Sequence, residues 1–198
     1  MKKVSVLVVT LSYLFFGHQG WANSDLTVGI DAFENGEYER AIDIFNLPAE
    51  RGNAQAQYYL ALMYLFGAGI EQNNNSAFSF LKLSANQGYV SAQTLLGSLY
   101  VKEPEKVENL EEAEKWLQRS ADKGDSEAQY LLAMVLALLH GIDKGNVNAY
   151  AWALISCGNY NKIGCNFLRS YEFNMAAIDI QKAQKLADNK LKGMRKIV

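Results

Sequence analysis

Apolar residues recur at helical spacing along most of the chain. Ala41, Ile44, Phe45 and Ala49 lie three, four and eight positions apart, one face of a helix. Ala56, Leu60, Met63 and Tyr64 mark a second face in the same way. Gly52 falls between the two runs, where a left-handed turn can end the first helix. The pattern predicts a helix–turn–helix hairpin, and it repeats. Gly52, Gly88 and Gly124 are 36 residues apart, and the same step links Ala56, Ala92 and Ala128, and Leu60, Leu96 and Leu132. Ala41, Ala77, Ala113 and Ala149 keep the register, as do Ile44, Phe80, Trp116 and Trp152, and Ala49, Ala85, Ala121 and Cys157. Tyr64 and Tyr100 continue it, with Leu136 in the third place. A lone hairpin cannot cover its own apolar face, so neighbours must stack. The alanines permit close approach of the helices. Trp116 and its equivalents are the large side chains expected to fill the space between hairpins.

The resulting expectation is an all-α α-solenoid of stacked helix–turn–helix hairpins. The repeats are placed at about 37–72, 73–108, 109–144 and 145–172. Leu26, Ile30 and Phe33 suggest a short capping helix within 23–36. A closing helix and basic tail are expected over 173–198, where Ile180, Ala183, Leu186 and Ala187 can cover the last hairpin.

The first 22 residues follow a different pattern. Met1-Lys2-Lys3 is a basic start and Val4 to Phe16 is mostly apolar, with small Gly20 and Ala22 before a potential cut after Ala22. This is the layout of an export signal, and the apolar core is short for a membrane span. The predicted mature chain begins at Asn23 and is periplasmic or secreted.

Composition narrows the function classes. At 49% hydrophobic and 20% charged, with 2 Pro in 198 residues, the chain is not a disordered or low-complexity one. Nineteen basic against 21 acidic residues give −2, so no bulk positive field points to nucleic acid. Removal of Lys2 and Lys3 would take that to −4.

The run from Ala113 to Gly124, AEKWLQRSADKG, followed by Asp125 to Ala133, DSEAQYLLA, resembles a Sel-one-like repeat. Leu62-Met63-Tyr64 with the loop Gly67-Ala68-Gly69-Ile70, and Leu96-Gly97-Ser98-Leu99-Tyr100, carry the same likeness, which extends over about residues 27–172. It implies a right-handed, tetratricopeptide-like α-solenoid, and a bacterial exported repeat protein that acts as a protein–protein interaction module or adaptor in the cell envelope. The sequence departs from the pattern at three places. Pro48 replaces a small residue and is expected to kink or shorten its helix. Lys102-Glu103-Pro104-Glu105 replaces a glycine loop, and Tyr160 stands where the fourth turn glycine belongs.

Cys157 and Cys165 lie in the fourth hairpin, at helix ends that face each other across a tight turn. Their separation and the Gly164-Cys165 ending resemble the cysteine-rich branch of the family, where such pairs staple hairpins. The resemblance implies a disulfide, with two separate buried thiols as the alternative.

That branch has been linked to β-lactams, so Ser79-Phe80-Leu81-Lys82 is of interest as an S-x-x-K string. β-Lactam binding, or weak β-lactamase-like turnover, is the alternative function. The string has no S-D-N or K-T-G partner, and Phe80 and Leu81 already have packing places. Non-enzymatic binding is therefore the main reading, with no catalytic residues, no metal and no cofactor expected. His140, beside Gly141, reads as a capping or surface residue. The candidate partner-binding wall is the concave face formed by the first helices: Asp43, Asn46, Phe78, Lys82, Glu114, Lys115, Gln118 and Tyr150, with Ile42 and Ser79 nearby. The partner expected there is an unidentified protein or peptide, associated with the envelope or with peptidoglycan.

Overall fold

The structure is a computed structural model that describes residues 26–102, 107–141, 146–172 and 175–194. The proposed export signal, the segment 103–106 and Arg195 and Lys196 of the basic tail lie outside the described residues. Within them the chain forms ten helices and no strand. These are α1 (26–34), α2 (Tyr38–Glu50), α3 (Ala54–Phe66), α4 (Asn74–Asn86), α5 (Val90–Val101), α6 (Val107–Ala121), α7 (Ser126–His140), α8 (Val147–Gly158), α9 (Lys162–Glu172) and α10 (Ala177–Met194). None of the described helices is long and apolar enough to cross a membrane.

The chain divides into two compact units, residues 1–84 and 85–198. In the first, α2 packs on α3, and Ala41, Phe45, Ala49, Ala56, Leu60 and Met63 form the core with Leu26 and Ala32 of α1. In the second, α5 packs on α6, α6 on α7 and α7 on α8, while α9 and α10 both pack on α8. Its core runs from Leu110 through Leu117, Leu132, Val135 and Trp152 to Ala183 and Ala187.

One turn design recurs. Gly52, Gly88 and Gly124 have φ of 90°, 88° and 91°, the left-handed region where a β-carbon is costly. Each donates its N–H to a carbonyl three residues back, at Ala49, Ala85 and Ala121. Asn53 and Asp125 then cap α3 and α7, their side chains accepting from Ala56 N (2.9 Å) and Ala128 N (2.7 Å). Asp125→Ala is expected to cost about 1 kcal/mol through the loss of this cap, measured by urea unfolding.

Pro48 does not shorten its helix. α2 continues to Glu50, which is one 36-residue step from the last residue of α4, Asn86. Pro48 sits in the last turn; it has no N–H to donate to the Ile44 carbonyl four residues back, so one bond of the ladder is lost, and its own carbonyl accepts from Asn53 N at 2.9 Å.

Candidate functional site

Two buried polar positions hold the hairpins in register. Gln57, Gln93 and Gln129 are 36 residues apart and almost fully buried. Their side-chain amides donate to the carbonyls of Ala49 (3.0 Å), Ala85 (3.0 Å) and Ala121 (3.2 Å), each eight residues upstream across the turn. The second position is serine. Ser84, Ser120 and Ser156 are fully buried, and their hydroxyls reach carbonyls 30 residues upstream, at Ala54 (2.6 Å), Val90 (3.4 Å) and Ser126 (2.8 Å). Pro48 occupies the same place in α2. A buried amide or hydroxyl must find a partner, so each bond fixes the approach of two helices as well as adding stability. Both combs are present in the sequence, and a reading confined to apolar periodicity passes over them.

The fourth hairpin replaces the glutamine with a covalent bond. Cys157 follows Ala121 by 36 residues and Cys165 follows Gln129 by 36. The two are disulfide-bonded, with Cα atoms 4.5 Å apart. The bridge therefore links the two positions that a glutamine amide and an alanine carbonyl join elsewhere. Gly164 takes the adjoining alanine slot because a β-carbon there would lie 2.5 Å from Ser156 Oγ. Asn161 caps the turn, accepting from Gly164 N at 2.9 Å and donating to the Ser126 carbonyl at 3.1 Å.

Tyr160 keeps the turn geometry that its position demands, with φ of 64°, although it is not a glycine. Its ring is 94% exposed, so no packing offsets the backbone cost. Tyr160→Gly is expected to raise stability by about 0.5–1 kcal/mol, the left-handed relief less the entropy of glycine, measured by thermal unfolding.

The candidate wall residues fall into two sets, one in each unit. In the first unit Asp43 and Asn46 of α2 and Lys82 of α4 are exposed, while Phe78 and Ile42 are half-buried. Ser79 is exposed and its hydroxyl donates to the Asn75 carbonyl at 2.9 Å. In the second unit Lys115 of α6 is exposed and pairs with Glu112 at 2.6 Å. That contact raises the lysine pKa, through the hydrogen bond first and the carboxylate charge second. Gln118 is half-buried and donates to Asp122 at 2.8 Å, and Glu114 is half-buried.

Tyr150 is the correction. It is 2% exposed, in the core of the second unit, because it lies on the α8 face that meets neighbouring helices. Burial, followed by the Glu172 carboxylate, raises the pKa of its hydroxyl. His140 is exposed at the end of α7, ahead of the left-handed Gly141.

Aromatic rings follow the comb as well. Tyr64 stacks on Phe80, with centroids 5.9 Å apart. The Trp116 ring lies under the Arg119 guanidinium at 4.7 Å, and the Trp152 ring under Lys190 Nζ at 4.4 Å. Burial first, then the Glu112 carboxylate, raises the Tyr100 pKa. A cleft of about 330 Å³ opens between α8 and α10, with Leu154, Ile155 and Leu191 as its apolar lining and Asn159, Gln184 and Asp188 at its polar side. The periodicity does not announce it. Among the described residues no three His, Cys, Asp or Glu side chains gather as metal ligands would.

A family model described as the Sel1 repeat matches residues 54–89, 90–125 and 126–157. Each match starts at the helix that follows a turn, at α3, α5 and α7, half a unit later than the division drawn from the periodicity. Among solved structures, a Sel1 repeat protein from Oxalobacter formigenes is 28% identical, with a TM-score of 0.57. The likeness covers 66% of this chain and 98% of that one. A protective antigen present in uropathogenic Escherichia coli strains, displaying an SLR fold, is 24% identical with a TM-score of 0.48, over 90% of this chain and 47% of that one. No curated protein matches the chain. With three consecutive repeats over just more than half of its length, built on one turn and one set of buried amides and hydroxyls, the chain belongs to the Sel1 repeat family.

Proposed function

We propose that this is an exported repeat protein whose hairpins serve as a protein–protein interaction module in the cell envelope. Sel1 repeats are interaction modules, and the hairpins here use their buried positions for stacking. The observation that carries the reading is the contrast between the two sides of the first helices. Their inward positions repeat almost unchanged, as Ala41, Ala77, Ala113 and Ala149 do, and all four alanines are buried. Their outward positions change in charge and shape, from Asp43 and Asn46 to Lys82, and to Glu114, Lys115 and Gln118. Varied side chains on a rigid support can select a partner without reshaping the core. The disulfide and the basic-then-apolar start of the chain support export.

The test is site-specific photocrosslinking in living cells, with the probe at Asn46, Lys82 or Lys115 and a control at exposed Asp188. The expected result is a discrete adduct at Asn46 or Lys82 that charge reversal at Asp43 abolishes, and one at Lys115 that charge reversal at Glu114 abolishes. Equal labelling at Asp188, or adducts indifferent to charge reversal, would overturn the assigned surface. Fractionation with N-terminal sequencing tests export separately: a mature start at Asn23 supports it, and an intact Met1 in the cytoplasm refutes it.

A further inference from the structure

We propose that the Cys157–Cys165 bridge is a thiol-sensitive latch that holds α9 on α8, so that a dithiol reductant releases α9 while α7, α8 and α10 stay folded.

Three observations carry this. First, the bridge stands at the repeat position where Gln57, Gln93 and Gln129 make hydrogen bonds that no reductant can break. The last hairpin is thus joined by a chemically different bond at an equivalent place. Second, α9 is short, 11 residues against 18 in α10, and buries few side chains. Its buried residues are Gly164 and Tyr171, whereas α7 buries seven, among them Leu132, Val135 and Leu136. The turn entering α9 also lacks the glycine that favours its shape, since Tyr160 holds φ of 64° there. Third, α10 is held without α9. It packs on α8 directly, with Ala183 and Ala187 buried and Lys190 over the Trp152 ring. Loss of α9 therefore leaves the α8–α10 contact in place.

Both cysteines are half-buried, within reach of an attacking thiolate. One thiolate of the reductant attacks a bridge sulfur. The Cys–Cys bond breaks, a mixed disulfide forms, and the displaced cysteine thiolate takes a proton. The second reductant thiolate then attacks the mixed disulfide and frees the other cysteine, which is protonated in turn. Two electrons and two protons pass to the protein, and the reductant leaves as its disulfide. Among the polar contacts that remain are the Asn161 cap at the entry to α9 and, near its end, the Tyr171 hydroxyl that accepts from Asn146 N at 3.2 Å and the Glu172 carboxylate that interacts with the Tyr150 hydroxyl of α8. Hydrogen bonds of this kind have modest net worth, the one with the carboxylate the most. Opening uncovers Phe167, which stacks on Tyr171 and sets its ring against Tyr130.

The test is hydrogen exchange on the full chain, oxidised and after dithiothreitol, with reduction verified by alkylation of two thiols. Reduction is expected to speed exchange of the 162–172 amides by roughly 10- to 100-fold, with α7, α8 and α10 changed less than about twofold. The paired variant Cys157→Ala, Cys165→Gln restores the amide-to-carbonyl link of the other hairpins. It is expected to protect 162–172 better than reduced wild type and to ignore dithiothreitol. Unchanged exchange in 162–172 after full reduction would overturn the latch. So would equal loss of protection in every helix of the unit, or a paired variant no better protected than the reduced protein.

Discussion

Trp152→Ala is expected to lower unfolding free energy by about 3–5 kcal/mol, the range for deleting a large buried aromatic ring. Trp152 is 1% exposed and is the largest fully buried side chain among the described residues. It belongs to the core that links Leu132 and Val135 of α7 to Ala183 and Ala187 of α10. Truncation removes apolar area from that core and leaves a cavity that alanine-rich helices, already close, cannot fill by side-chain movement. It also removes the ring beneath Lys190 Nζ at 4.4 Å, a contact of roughly 0.5–2 kcal/mol. Urea unfolding followed by far-ultraviolet circular dichroism reads the change. A loss under about 1 kcal/mol would mean that the ring is not part of the core. Trp116→Ala should cost less, although the residues occupy the same comb position. Trp116 is 6% exposed against 1% for Trp152, so its truncation removes less area from contact with the core.

The second large effect is expected at Gly97. This position takes alanine one step before and one step after, as Ala61 and Ala133, both buried. By sequence alone Gly97→Ala should help, since alanine is the better helix former by about 1 kcal/mol. The packing reverses the sign. A β-carbon on Gly97 would lie 2.6 Å from Leu117 Cγ and 2.8 Å from Leu117 Cδ2. Leu117 is fully buried at the contact of α5 and α6, so it has no space to yield. Gly97→Ala is expected to destabilise by about 1–2 kcal/mol, and Gly97→Val by about 3 kcal/mol or more, from urea midpoints at constant m-value. A stabilising Gly97→Ala would show that α5 and α6 are farther apart than the structure places them.

The hairpins themselves were legible because their signals are local. A helix face needs residues three and four apart, and a turn needs one residue that tolerates positive φ. Gly52, Gly88 and Gly124 meet that need within a few residues of the alanines they serve. Pro48 misled on helix length because its residue type suggests a stop, while two residues from the helix end it interrupts only one ladder bond. Tyr150 misled for the opposite reason. Ile42, Phe78 and Glu114, at the same comb position, are half-buried, and the helices packed on α8 bury Tyr150 fully.

The sequence by itself determined the all-helical repeat, its 36-residue step and the placement of the cysteines at one turn. Those follow from spacing along a single helix or across a single turn. Only the tertiary structure decided that glutamine amides reach carbonyls eight residues away, that serine hydroxyls reach carbonyls 30 residues away, and that the disulfide stands in for the glutamine bond. It also decided how deeply each tryptophan is buried and why Gly97 excludes a methyl group. The physical reason is that these contacts depend on the distance between packed helices. That distance is set by every side chain in the interface together, so no periodicity within one helix contains it.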